Sequence, residues 1–122
     1  PYYLDSGGLA NTAHGDGKLS LTVPKASNIA DTFVYDPLDP VPSRGGVVLG
    51  PRAGVERQND VEERDDVLVY TTPVLKENVE VAGPVEPVLH ISTTAPSTDF
   101  TGKLVDVHPP SHDFPHGLDM NL

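Results

Sequence analysis

The sequence predicts an all-β fold, a sandwich or jelly-roll of short strands, and three observations carry that reading. Eleven glycines and thirteen prolines stand among 122 residues. That is roughly twice the usual share, so turns are many and long helices few. Apolar residues recur with a period of two rather than 3.6. Turn signals separate these runs at short intervals, as they do in sandwiches and jelly-rolls. About seven strands are expected, and no helix.

Residues 2–4 read as a short strand stopped by Gly7-Gly8. Residues 18–23 alternate cleanly, with Leu19, Leu21 and Val23 toward a core and Pro24 ending the run. Between them, His14-Gly15-Asp16-Gly17 holds the turn dipeptide Asp-Gly and reads as a hairpin loop. Residues 32–35 form the next expected strand, stopped by Asp36-Pro37. Pro37, Pro40 and Pro42, followed by Gly45-Gly46, deny any ladder its donors, so 36–54 is expected to be extended loop.

Six acids and two bases crowd residues 55–66, where only Val55 and Val61 are apolar. No helical stripe exists there, and a solvated loop is expected. Asp66-Val67-Leu68-Val69-Tyr70-Thr71 reads as a strand buried on both faces. Residues 78–81 alternate again. Val85, Leu89 and Ile91 then share one face, opposite Glu86, His90 and Ser92. Residues 100–107 are a last strand, with apolar residues on both faces that a bulge or double-sided burial would explain.

The formal charge of −10 repels polyanions, so neither nucleic acid nor an anionic membrane surface is an expected partner. No apolar run approaches the ~20 residues that span a bilayer. With no cysteine there is no disulfide framework and no thiolate chemistry, which favours a reducing, cytoplasmic compartment. No signal peptide is visible at the N-terminus. Pro1 stands where a natural start carries Met, which points to a piece of a longer chain.

Four groups of residues invite a chemical reading. Asp5-Ser6-Gly7-Gly8 is similar to the nucleophile segment of trypsin-like proteases, but Leu4 stands where those have Gly, and only four residues lie upstream to supply a base. A serine needs a base in hydrogen-bond reach, so Ser6 is expected to be a turn residue. His14 and Asp16 belong to the hairpin loop. His108, His112 and His116, with Asp106 and Asp113 nearby, would place three imidazoles on one helix face. Pro109, Pro110 and Pro115 forbid that helix, and a polar hairpin loop is expected instead. The acids of 60–66 lie side by side, whereas glycosidase chemistry needs two facing each other across a cleft. No Gly-x-Ser-x-Gly elbow and no phosphate-cradling glycine motif occurs. No catalytic residue, cofactor site or metal site is therefore assigned.

Several stretches, in order, carry a family resemblance. They are 3–11 from Tyr3-Leu4 to Ala10-Asn11, Gly15-Asp16-Gly17-Lys18-Leu19-Ser20, and the run from Asp31-Thr32-Phe33-Val34-Tyr35-Asp36-Pro37 to Pro42. Gly45-Gly46, Gly50-Pro51-Arg52, the 64–71 block and Val81-Ala82-Gly83-Pro84-Val85 follow, then the 98–107 block. With them the chain resembles the C-terminal domain of the cocaine esterase / X-Pro dipeptidyl-peptidase family of serine hydrolases. The resemblance implies a jelly-roll of galactose-binding-like type that follows an α/β-hydrolase domain in the same polypeptide. There it packs on the catalytic domain, helps wall the substrate cleft and can contribute to self-association. The Ser-His-Asp triad lies outside the region that resembles this chain, so the resemblance carries no catalytic residue over.

On that reading residues 1–122 are part of a C-terminal β-sandwich domain of a larger hydrolase, a non-catalytic accessory to ester and amide hydrolysis. Asp119-Met120-Asn121-Leu122 falls where the next family strand should begin, so the jelly-roll is expected to be incomplete. Its open sheet edges are expected to pair with another chain or a second copy. The alternatives are a stand-alone carbohydrate- or ligand-binding sandwich, for which the chain lacks Trp platforms, and a metal-dependent module built on the histidine tract.

Overall fold

A computed structural model describes residues 1–25, 29–47 and 49–122. The chain is nearly all-β. Strand β1 (Tyr3–Asp5) pairs antiparallel with β2 (Lys18–Ser20), Leu4 opposite Leu19. A single helical turn, α1 (Asn59–Glu62), follows. Strands β3 (Val105–His108) and β4 (Leu118–Asn121) form a second antiparallel pair, Asp106 opposite Met120. The two pairs are separate sheets.

Four strands form among the described residues, against about seven expected. Each shortfall has a local cause. The strand begun at Lys18 stops at Ser20 instead of running to residue 23. The Ser20 hydroxyl accepts the Thr22 N–H and donates to the Thr22 carbonyl, both at 3.1 Å, so a side chain takes the bonds a ladder would need. Residues 32–35, 78–81 and 85–91 have no regular structure and are solvent-exposed. Alternation makes a face, but a strand also needs a neighbour to bond, and among the described residues none pairs with these segments. Phe33 is held by one ring contact, edge-to-face with Phe100 at 6.4 Å. The expected strand over 100–107 forms only from Val105 onward, and there most of its side chains are exposed rather than buried on both faces.

Residues 66–71 follow a strand-like path without joining a ladder. Val69 N–H donates to the Ala10 carbonyl at 2.8 Å, Leu19 N–H to the Thr71 carbonyl at 3.0 Å, and Thr71 N–H to the Gly17 carbonyl at 3.3 Å. The segment thus lies against the β1–β2 pair and its loop, half-buried rather than buried on both faces. Gly17 is required at this approach, because a Cβ there would run into the Val69 carbonyl.

The acidic stretch departs from a plain loop. Val61 is buried, Gln58 and Glu62 are buried with it, and the backbone closes one turn, Val61 N–H to the Gln58 carbonyl at 2.7 Å. Ala10 and Val61 are the buried apolar residues of the described chain. The core is therefore small and sits where the first loop meets α1. The Pro-rich stretch after residue 36 is loop, as expected, with a Gly46–Gly54 bridge closing its second half; residue 48 of that expected loop lies outside the described residues.

Candidate functional site

Three polar clusters hold the elements together, and the residues singled out from sequence can be placed against them.

The first centres on Asp31. Its Oδ2 accepts from the Ser6 hydroxyl and from the Tyr70 hydroxyl, each at 2.6 Å, and its Oδ1 accepts the Ala10 N–H at 2.9 Å. Partial burial pushes the Asp31 carboxyl up. The bonds from Ser6, Tyr70 and Ala10 more than offset that and hold it below the usual carboxylate range. Burial and the adjacent carboxylate push the Tyr70 hydroxyl well above its ordinary value. Ser6 also accepts the Gly8 N–H at 3.2 Å. The hydroxyl proton of Ser6 thus points at a carboxylate, and among the described residues no imidazole bonds it. The arrangement fastens a turn, as the sequence reading of Ser6 anticipated. Asp16 fastens the same loop by its side chain, accepting Gly7 N–H at 2.8 Å and Leu9 N–H at 3.2 Å; the turn itself closes at Thr12–Gly15 rather than at the expected Asp16-Gly17, with Gly15 N–H donating to the Thr12 carbonyl at 3.2 Å.

The second cluster joins α1 to β4. The Gln58 amide nitrogen donates to the carbonyls of Glu56 (2.9 Å) and Arg44 (3.3 Å) and to Asn121 Oδ1 (3.1 Å). Its oxygen accepts from Lys103 Nζ at 3.0 Å. Asn121 Oδ1 also accepts the Glu56 N–H at 2.7 Å, and Asn121 Nδ2 donates to the Gly54 carbonyl at 3.1 Å. Gly45, at φ 68°, lies against the Asn121 amide, where any side chain would collide. Burial holds the Lys103 ammonium below its ordinary pKa, with Arg44 adding to the effect.

The third is a carboxyl pair. Glu62 is 9 % exposed and meets Asp119 of β4. Asn59 clasps that aspartate from both sides, donating Nδ2 to Asp119 Oδ2 at 2.6 Å and accepting the Asp119 N–H at 3.1 Å. Around this pair the acids of 60–66 scatter. Asp60 pairs with Arg44, and Asp66 with Arg64, which also reaches Asp39. The Arg44 and Arg64 guanidinium groups hold the Asp60 and Asp66 carboxyls below the usual range. Among the described residues no two of these acids face each other across a cleft in the manner a glycosidase needs.

The histidine tract forms the β3–β4 connection, the hairpin loop expected in place of a helix. Ser111 N–H donates to the Phe114 carbonyl at 2.9 Å and Gly117 N–H to the same carbonyl at 3.0 Å. His108 Nε2 lies 3.1 Å from Asp106, and His112 Nδ1 lies 3.2 Å from Asp113, both on the surface. His116 lines an open hollow of about 420 Å³ with Arg57, Asn59, Asp60 and Glu63. The three imidazoles are not brought together, and among the described residues no group of three or more His, Cys, Asp or Glu could hold a metal ion.

Asp31, Gln58 and Asn121 were not singled out as functional residues by their local sequence. Asp31 falls in a segment that carries the family resemblance. Gln58 sits in a charged stretch whose pattern gives no sign of burial, and Asn121 is the last residue of β4, in a stretch read from sequence only as the start of a further strand. Their importance lies in bonds between residues far apart in sequence, which periodicity cannot register.

No helix of the described residues is long and apolar enough to cross a membrane. Cocaine esterase of Rhodococcus sp. (strain MB1 Bresler) is 49 % identical over 111 residues, which cover 89 % of this chain and 19 % of that protein. The chain thus spans about a fifth of the length of this curated relative. No solved structure matches. The family described as the X-Pro dipeptidyl-peptidase C-terminal non-catalytic domain matches residues 1–118. A nearly all-β chain, matched over almost its whole length, belongs to that family of X-Pro dipeptidyl-peptidase C-terminal non-catalytic domains.

Proposed function

We propose that residues 1–122 are part of the accessory β-sandwich of a larger serine hydrolase, a jelly-roll of galactose-binding-like type. It packs on an α/β-hydrolase domain of the same polypeptide and helps shape the cleft in which esters or amides are cleaved. It supplies no catalytic residue, cofactor or metal of its own. The outer edges of β1 and β3, to which no described segment bonds, give it the means to self-associate.

The observation that supports this most is the apolar surface between residues 74 and 104. Val74, Val81, Val85, Val88, Leu89 and Ile91 are all exposed there. At ~25 cal/mol per Å² of apolar area removed from water, such a run of exposed side chains favours burial. A partner layer from the same polypeptide accounts for both the exposed run and the family.

Removing this domain from the polypeptide is expected to lower hydrolysis of a chromogenic ester by at least about tenfold in kcat/KM. Ser6→Ala in the whole polypeptide is expected to leave the kinetics unchanged. Esterase activity in the purified 122-residue chain, lost on Ser6→Ala, would overturn the proposal. Elemental analysis of the purified protein is expected to find no stoichiometric zinc or other transition metal; one bound ion lost on His108→Ala would reinstate the metal-dependent reading.

A further inference from the structure

We propose that Lys103 is an acylation site of this domain, and that its acylation loosens α1 from the chain ahead of β3. Lys103 Nζ donates to the Arg44 carbonyl at 2.7 Å and to the Gln58 side-chain oxygen at 3.0 Å. These bonds join residues 59 and 45 positions apart and tie the chain just before β3 to the residue that caps α1. Of the four lysines, Lys18, Lys25, Lys76 and Lys103, it alone has its nitrogen held by the protein among the described residues.

The geometry around the nitrogen favours its attack on an electrophile. Both bonds run to neutral oxygens, and among the described residues Lys103 pairs with no carboxylate. A neutral amine has two N–H groups and one lone pair. The two acceptors take both protons, and the lone pair is left to solvent at an exposed residue. The charges nearby act in the same direction. Arg44 repels an ammonium here, and Asp60 of α1 is paired with the Arg44 guanidinium rather than with Lys103. Gln58 and Asn121 are neutral, and Glu56 enters the cluster through its backbone. Burial first, then Arg44, hold the Lys103 ammonium below its ordinary pKa. A lysine beside another cation is more nucleophilic near neutral pH for this reason.

The reaction is acyl transfer from an acyl phosphate. The Nζ lone pair attacks the acyl carbon, the bond to the phosphate oxygen breaks with its electron pair, and the nitrogen gives one proton to water. The product is an amide with a single N–H, which can serve Arg44 or Gln58 but not both. The Arg44 carbonyl keeps a second donor, the Gln58 amide at 3.3 Å. Either loss weakens the tie between residue 103 and α1.

Trace labelling of the full chain with acetic anhydride, read at each lysine by mass spectrometry, tests the site. At pH 7 Lys103 is expected to react at least about threefold faster than Lys18, Lys25 and Lys76, with its labelling midpoint at lower pH. In guanidinium chloride the four are expected to react alike. Arg44→Gln is expected to move the Lys103 midpoint up toward the others. Acetyl phosphate is expected to acetylate Lys103 first. Chain acetylated there is expected to lose about fivefold in hydrogen-exchange protection in peptides covering 56–63. A Lys103 that reacts no faster than the other three in the folded wild type, or an unshifted midpoint in folded Arg44→Gln, would overturn the site. Protection unchanged by acetylation would overturn its consequence.

Discussion

Replacing Gln58 by Ala is expected to destabilise the fold by about 3 kcal/mol, read as a lower urea midpoint at unchanged slope. Gln58 is 2 % exposed, and its amide nitrogen serves three acceptors at once, the carbonyls of Arg44 and Glu56 and Asn121 Oδ1. Truncation opens a cavity and removes one donor from each, although the Arg44 carbonyl keeps Lys103 Nζ, the Glu56 carbonyl the Asn121 N–H and Asn121 Oδ1 the Glu56 N–H; Lys103 Nζ loses the Gln58 oxygen. Each hydrogen bond lost costs about 1 kcal/mol, and water entering the cavity recovers part of the sum. Gln58→Glu is the sharper experiment. It keeps shape and volume but turns the donor into an acceptor among acceptors, so it is expected to cost at least as much as Ala. A Gln58→Glu variant as stable as the wild type would mean that the amide donates nothing of consequence.

Asp31→Ala is expected to rank close behind, at about 2–3 kcal/mol, because hydrogen bonds to an ionised acceptor are worth more than neutral ones. Three donors lose their partner together: the Ser6 and Tyr70 hydroxyls and the Ala10 N–H. Ala10 is fully buried, so its amide has no ready replacement in water. The effect depends on pH in a defined direction. The Asp31 pKa is depressed in the folded chain. Its contribution is present above the unfolded value near 3.8 and is lost as pH falls through the lower folded value. Wild type and Asp31→Ala should therefore converge in stability in strong acid, and a difference that stayed constant down to about pH 2 would contradict the assignment.

The two hairpins differ in how far the sequence foretold them. The first was legible because Leu19 alternates with polar neighbours and the glycine-rich stretch before it marks a loop, although the turn closes at Thr12–Gly15 rather than at the expected Asp16-Gly17. The second was legible because three prolines in the histidine tract leave a loop as the only option. The expected strands at 32–35, 78–81 and 85–91 rested on alternation alone. Alternation names the residues that share a face, but what covers that face is decided by chain elsewhere, and among the described residues no strand pairs with these segments. The helical turn was missed for the converse reason. One buried valine, Val61, does not make a stripe, and Gln58 and Glu62 are buried by bonds to Asn121 and beside Asp119 rather than by hydrophobicity. At Ser6 the sequence reading set a turn against a nucleophile, because no base lay upstream. The carboxylate that binds it lies 25 residues away and gave no local sign.

The bond between Gln58 and Asn121 spans 63 positions of chain. On the ribosome, then, the amide of Gln58 is made long before the residue that satisfies it. At about 5–20 residues per second, several seconds pass between the two. The short hairpins close on their own within microseconds, but α1 has no fixed seat until β4 arrives. Through that interval the Gln58 side chain is solvated by water, and the first hairpin stands without the joint that later ties it to the second. The order of synthesis thus makes the α1–β4 cluster the last of the three polar clusters to form and the one most exposed to competing partners while it waits.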